Sequence, residues 1–329
     1  MRNRILTILL NNQDSFVSGE DISQELGVSR TAVWKNIGQL KETGFKIQSV
    51  SNKGYRLTSL VDKFEPALVQ HYLTTKNFGR ALEVHETISS TNSRAKELAQ
   101  SGAAHGTLVV AERQSSGRGR LGRSWESPEG LGLWMSLILR PSFPPRFAPR
   151  MTVLAGLAVV QAISRITGLE AFIKWPNDII INSKKLCGIL TEMQADPDLI
   201  DYIVLGIGMN VNTQKEDFPI ELRDSATSLK LEKGEHIDRC KLLAELLAVF
   251  EDLDNRYLKT GDFSEILNEY KEKCITLGRT VRVTGPTEAF EGTAVDLTDD
   301  FELIVETKSG ESRKVFSGDV SVRGIAGYI

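Results

Sequence analysis

Seven residues, Gly117-Arg118-Gly119-Arg120-Leu121-Gly122-Arg123, carry the clearest chemistry in the chain. The glycines at 117, 119 and 122 spell G-x-G-x-x-G, the pattern of a dinucleotide-binding turn in which a strand feeds a helix N-terminus. A strand before it fits, at Leu108-Val109-Val110-Ala111-Glu112. A helix after it does not. Ser124-Trp125-Glu126-Ser127-Pro128-Glu129-Gly130 follows, then an apolar run from Leu131 to Leu139 that ends at Pro141 and reads as a strand. A nicotinamide dehydrogenase is therefore excluded. The glycines supply flexibility and close approach. Arg118, Arg120 and Arg123 supply fixed charge with forked donors. Such a loop between two strands suits a carboxylate and a polyphosphate that must meet; the plain alternative is a solvated basic turn.

Four further stretches hold candidate groups. Ser89-Ser90-Thr91-Asn92 precedes a helix through Arg94, Ala95, Leu98 and Ala99, and offers hydroxyls and free backbone amides for a small polar ring, or simply an N-cap. Phe172-Ile173-Lys174-Trp175 reads as a strand, Pro176-Asn177-Asp178 as a turn and Ile179–Ile181 as the returning strand. Lys174 suits a phosphate and Asp178 a Mg²⁺ ion or a ribose, against the reading of a simple turn. Lys184 and Lys185 enter a strand ending near Met193, and adjacent residues of a strand point to opposite faces, so only one can reach a desolvated pocket. Gly206 and Gly208 allow close backbone approach beside Asn210 and Asn212, which suit a nucleotide.

These elements sit in a chain of 329 residues, enough for two or three domains, with 41% hydrophobic and 25% charged residues. Residues 1–60 hold eight Lys/Arg against five acids, and the remainder 32 against 38, so a basic head rides on an acidic body. The head reads as a winged helix-turn-helix. Ile5, Leu6, Ile8 and Leu9 mark a first helix, Ser18 caps a second, Gly27-Val28-Ser29 turns, Ser29 caps a third, and Gly44 ends it. Phe45–Val50 and Tyr55–Leu57 form a hairpin wing around Asn52-Lys53-Gly54. Ser29, Arg30, Thr31, Trp34 and Lys35 lie where a recognition helix meets DNA, and residues 30–57 hold six basic residues against one acid. The alternative is a protein-binding module of the same fold. Thr58–Pro66 reads as a linker.

The odd cysteine count, at Cys187, Cys240 and Cys274, gives no C-x-x-C pair, and the four histidines show no ligand spacing. This argues against a disulfide framework and a zinc site, a reducing compartment is the default, and no resident metal is assigned. Met151–Ile163 is too short to span a bilayer, and Met1-Arg2-Asn3-Arg4 opens no secretory signal. The expected location is the cytoplasm, with no membrane partner. Residues 276–329 read as a small all-β unit without a catalytic constellation, suited to closing the ligand site or docking a partner, against the reading of simple structural packing.

Gln114 through Trp125, Ser89-Ser90-Thr91-Asn92, Lys174-Trp175-Pro176-Asn177-Asp178, Lys185-Leu186-Cys187-Gly188-Ile189-Leu190 and Gly206-Ile207-Gly208-Met209-Asn210-Val211-Asn212 together resemble the biotin–protein ligases, in the family's order and over essentially the whole chain. The head resembles that of the bifunctional subgroup, which also represses biotin synthesis and uptake genes. The resemblance implies an α+β multidomain chain. Residues 1–60 would be the winged helix-turn-helix, and 67–273 a mixed α/β ligase domain of class II synthetase type, shared with lipoate ligases. Residues 276–329 would be an SH3-like barrel.

The same resemblance implies that biotin and MgATP give biotinyl-5′-AMP and pyrophosphate, after which a carrier-domain lysine takes the biotin. Lys185 and Arg120 would be catalytic. Biotin would meet Ser90, Thr91, Asn92, Gln114, Arg118, Gly119, Arg120 and Lys185. ATP would meet Arg120, Arg123, Lys174, Asn177, Asp178 and Asn210. Implied partners are the carrier subunit of acetyl-CoA carboxylase, pyruvate carboxylase, operator DNA, and a second copy once biotinyl-5′-AMP is bound as corepressor. Leu121 stands where some relatives carry arginine. Competing readings are lipoate attachment, opposed by the arginine loop, and a biotin-sensing DNA-binding protein without ligase activity, opposed by Lys185.

Overall fold

Serine caps fix where the second and third helices begin. The computed structural model describes residues 1–285, 288–317 and 321–324. In it α1 (Arg2–Asn11), α2 (Gly19–Leu26) and α3 (Arg30–Glu42) pack around Ile5, Leu6, Leu9, Ile22, Val33 and Leu40, all fully buried. Ser18 Oγ accepts from Asp21 N (3.0 Å) and Ser29 Oγ from Ala32 N (3.2 Å). The cap closing α3 is Thr43, not Gly44, which follows it at φ +103°. The wing pairs β1 (Lys46–Val50) with β2 (Gly54–Ser59) in antiparallel register.

The expected linker is shorter than read. β2 runs through Ser59, and Pro66 opens α4 (Pro66–Tyr72), a position where a missing N–H costs nothing. α4 packs on α1, and Arg2 donates two hydrogen bonds to Glu65 (3.0 and 2.8 Å) just before it. The chain separates into two compact units, Met1–Leu73 and Thr74–Ile329, so the break falls after α4.

The second unit is built on a seven-stranded sheet. Its elements are β3 (Leu82–Ile88), α5 (Thr91–Gln100), β4 (Leu108–Gln114), β5 (Gly132–Leu139), α6 (Pro149–Thr167), β6 (Phe172–Lys174), β7 (Asp178–Ile181), β8 (Lys184–Ala195) and β9 (Ile200–Asn210). The strand order is β3-β4-β5-β9-β8-β7-β6, parallel only between β3 and β4. Every residue of β5 is buried, as expected of a central strand covered on both faces. α5 packs one face through Ala95 and Ala99 against Val109, Ile138 and Val204. α6 covers the other, where the Thr152 and Thr191 hydroxyls lie 2.7 Å apart. The helical stretch Pro145–Thr167 is longer than the apolar run read from the sequence and is apolar enough to cross a membrane; 67% of its most apolar window is buried in the body, which makes it a core helix.

α7 (Leu229–Lys233), α8 (Arg239–Thr260) and α9 (Ser264–Lys273) follow, with α8 and α9 packed on α6. Arg239, at the start of α8, is 1% exposed and donates to Glu112 Oε2 on β4 (2.8 Å), which is 3% exposed. The C-terminal strands β10 (Thr280–Thr284), β11 (Ala289–Leu297), β12 (Leu303–Thr307), β13 (Ser312–Val315) and β14 (Ser321–Gly324) form an antiparallel sheet in the order β13-β12-β11-β10-β14. Of the expected 276–329 domain, residues 286–287, 318–320 and 325–329 lie outside the described residues. Trp175 Nε1 donates to Phe301 O (3.1 Å), and Phe301 meets the Tyr270 ring at 5.7 Å, which seats this sheet on the body built on the seven-stranded sheet.

Candidate functional site

One transverse row of paired residues crosses the large sheet. His85 pairs with Ala111, Ala111 with Trp134, Trp134 with Gly208, Gly208 with Gly188, Gly188 with Asp178, and Asp178 with Lys174. Directly paired residues point to the same face, so the two glycines leave a trough between Trp134 and Asp178. The Trp125 indole fills it. A Cβ on Gly208 would lie 2.6 Å from Trp125 Nε1, and one on Gly188 3.1 Å from Trp125 Cζ3.

A bulge decides between the two lysines. Ile179 pairs with Cys187 but Ile180 with Lys185, so Leu186 is the extra residue. Without it Lys185 would share a face with Cys187; with it Lys185 shares the face of Gly188 and Asp178. Lys185 Nζ lies 2.6 Å from Asp178 Oδ1 and 5.3 Å from the Trp125 ring centroid. Lys184, paired with Ile181, takes the opposite face.

At the start of α5 the polar groups form a relay. Thr91 N and Oγ1 both donate to Gln114 Oε1 (2.8 and 3.1 Å), and Gln114 Nε2 donates to Ser127 Oγ (2.9 Å). Ser136 Oγ donates to Asn92 Oδ1 (2.6 Å) and lies 2.8 Å from Thr91 Oγ1. Asn92 Nδ2 donates to Glu192 (2.9 Å), which also pairs with Lys96 (2.5 Å). Burial alone would raise the Glu192 carboxyl; the hydrogen bonds from Asn92 and Lys96 and the charges of Lys96 and Arg118 outweigh it and hold it below the usual range. Ser90 caps the helix, with its Oγ 3.5 Å from Ser93 N. Ser90, Thr91, Asn92, Gln114, Arg118, Trp125 and the glycines of β8 and β9 line one narrow slot.

The arginine loop closes over this floor as a short turn, Arg120–Gly122, and no helix follows. Leu121 is held at φ +56° and is 53% exposed. Gly119 N donates to Arg123 O (2.8 Å). Arg118 is exposed and borders both the slot and a cleft of about 960 Å³ that reaches the C-terminal sheet. Arg120 Nη1 donates to Asn177 Oδ1 (3.0 Å) and its Nη2 to Ser317 O. Asn177 Nδ2 donates in turn to Ile189 O (2.8 Å). Arg120, Arg123, Lys174, Asn177, Asp178 and Lys185 share a second cavity of about 140 Å³ with Arg323. Lys174 is 6% exposed. Burial pushes its ammonium down to about 8; Asp178 opposes this, while Lys185, Arg323 and Arg123 add to it. Burial also pushes the Cys187 thiol up, so it stays a protonated packing group.

Asn210 falls outside this group. Its side chain is buried and donates to Thr227 O (3.1 Å), and Asn212 clamps Ile237 through N and O (3.0 and 2.9 Å). Both hold loops that follow β9. Among the described residues Asp178 is the one carboxylate bordering the 140 Å³ cavity and is already paired with an ammonium, and no group of three His, Cys, Asp or Glu gathers there. That donor set does not fit a resident metal. Sequence reading missed Ser136, Glu192 and Arg323. In the first unit, Ser29, Arg30, Thr31, Trp34 and Lys35 are all exposed on α3.

Residues 84–210 match the biotin/lipoate A/B protein ligase family, 2–56 an HTH domain, and 276–323 the biotin protein ligase C-terminal domain. The bifunctional ligase/repressor BirA of Bacillus subtilis (strain 168) is 42% identical over 322 residues, 98% of each chain. That of Escherichia coli (strain K12) is 30% identical over 248 residues, 74% of this chain and 73% of the other. The solved biotin protein ligase from Aquifex aeolicus in complex with biotin and ATP aligns with a TM-score of 0.65 at 32% identity, over 74% of this chain and 99% of that one. With these three matches in order along it, the chain belongs to the biotin–protein ligase family, in the bifunctional branch that joins ligation to transcriptional repression.

Proposed function

We propose that the chain activates biotin with ATP, passes it to a lysine of a biotin carrier domain, and represses transcription when biotinyl-5′-AMP is bound. The observation that carries the catalytic reading is the bulge that brings Lys185 to the face of Asp178, Gly188 and the Trp125 trough. Biotin's ring would sit against Ser90, Thr91, Asn92 and Gln114, with its carboxylate toward Lys185 and Arg118. The carboxylate oxygen bonds to the α-phosphorus, the bond to the bridging oxygen breaks, and pyrophosphate leaves. Two anions meet in this step, so preorganised cations must screen them. Lys185 and Arg120 would meet the charge on the α-phosphate, with Lys174 and Arg123 further along the triphosphate. The divalent ion would arrive on ATP, where it screens the phosphates. The carrier lysine then attacks the acyl carbon and AMP leaves.

Repression rests on the helix-turn-helix and on the bifunctional relatives. The adenylate would order the arginine loop and favour a dimer suited to a two-fold operator, in the cytoplasm. Acetyl-CoA carboxylase and pyruvate carboxylase carriers are the expected acceptors. The test is biotin-dependent ATP–pyrophosphate exchange with lipoate as control. We expect exchange with biotin alone, and a loss of about 10²–10³-fold in Lys185→Ala. No exchange with either acid refutes the ligase reading and leaves a biotin-sensing DNA-binding protein. Equal operator affinity with and without biotin plus ATP refutes the corepressor reading.

A further inference from the structure

Trp34 is 68% exposed on α3, although an indole has a large apolar surface to hide. The helix does its packing elsewhere, with Val33, Ile37 and Leu40 buried on the inner face. Trp34 lies one turn beyond Arg30 and Thr31, so the three share one face of the first two turns. Those turns are the part of a recognition helix that enters the major groove. Trp34 also borders a cleft of about 820 Å³ between α3 and the wing, together with Arg30, Thr31, Asn52 and Tyr55. Glu20 borders the same cleft, 3.7 Å from Arg30. Lys35 and Lys53 are exposed.

The cations suit phosphates, but an indole face does not. The apolar group on a base edge in the major groove is the C5-methyl of thymine. We propose that Trp34 reads that methyl group, which makes it a specificity-determining residue of the operator half-site, while Lys35 and Lys53 hold the backbone without regard to sequence. The proposal rests on residues 1–60 acting as a DNA-binding domain.

The test uses the full chain with biotin and ATP. Duplexes are selected from a random-sequence pool, and each thymine of the tightest duplex is replaced singly by uracil, which lacks only the methyl group. One or two positions per half-site should weaken wild-type binding about five- to tenfold. Trp34→Ala should bind the thymine and uracil duplexes equally while unfolding at the wild-type temperature, and Trp34→Phe should regain part of the discrimination. Lys35→Ala should weaken all duplexes alike, keep the uracil effect, and lower the salt slope by about one. Wild type indifferent to every uracil, or Trp34→Ala still discriminating, overturns the inference alone. A wild-type chain that retains no duplex overturns the DNA-binding reading beneath it.

Discussion

Gly206→Ala should break the polar relay at one atom. The new methyl carbon would stand 2.1 Å from Asn92 Oδ1, 2.8 Å from its Cγ and 3.0 Å from its Nδ2. Asn92 is 5% exposed and cannot step aside into water. Its amide must leave the bonds from Ser136 (2.6 Å) and to Glu192 (2.9 Å). Each such bond contributes about 0.5–1.5 kcal/mol net, and a stranded buried partner costs about 1–3 kcal/mol, so the loss is about 2–6 kcal/mol. The second unit should then melt roughly 5–25 °C lower. The decisive assay is a double-mutant cycle read by thermal unfolding. On an Asn92→Ala background the obstacle is gone, so Gly206→Ala should cost close to nothing there. If alanine at 206 costs as much without Asn92 as with it, the clash is not the mechanism and the reasoning is refuted.

Lys174 predicts a pH dependence. Its folded value, about 8, lies below the ordinary 10.5. Between those values the unfolded chain holds a proton that the folded chain has released, so this group's contribution to stability rises with pH across the window and is least favourable below 8. The full difference is about 3 kcal/mol. Lys174→Met should therefore stabilise the ligand-free chain at pH 7 and flatten its stability between pH 8 and 10; unchanged unfolding at both ends would count against the buried cation. An anionic ligand restores the charge, so adenylate affinity measured by calorimetry should fall as pH rises through about 8. Gly38 sits inside α3 with nothing within 4 Å of where its Cβ would be, so Gly38→Ala should stabilise the first unit by about 0.5–1 kcal/mol in denaturant unfolding. A destabilised variant would show that the site is not open.

Local signals were legible. Ser18 and Ser29 cap the helices they were read to cap, because a cap is decided within three residues. The floor strands were legible from apolar runs. The relay was not, since Asn92 and Glu192 are 100 residues apart and only the sheet register joins them. The choice of Lys185 rested on motif likeness; its cause, the bulge at Leu186, depends on how β7 pairs with β8. That Asn210 donates to Thr227 O was not legible either, because the loop it holds lies 17 residues further along the chain. Pro66 looked like a linker end, yet a proline is equally at home opening a helix.

The buried pair of Glu112 and Arg239 also sets an order of events during synthesis. The two residues lie 127 positions apart, and losing either partner of such a pair costs about 3–5 kcal/mol. At ~5–20 residues per second the ribosome needs about 6–25 s to travel from one to the other. Until α8 emerges, Glu112 on β4 lacks the hydrogen bond that Arg239 donates to it. The strand that presents Gln114 thus waits for a helix made after the whole arginine loop, and the ligand pocket is among the last parts of the newborn chain to become solid.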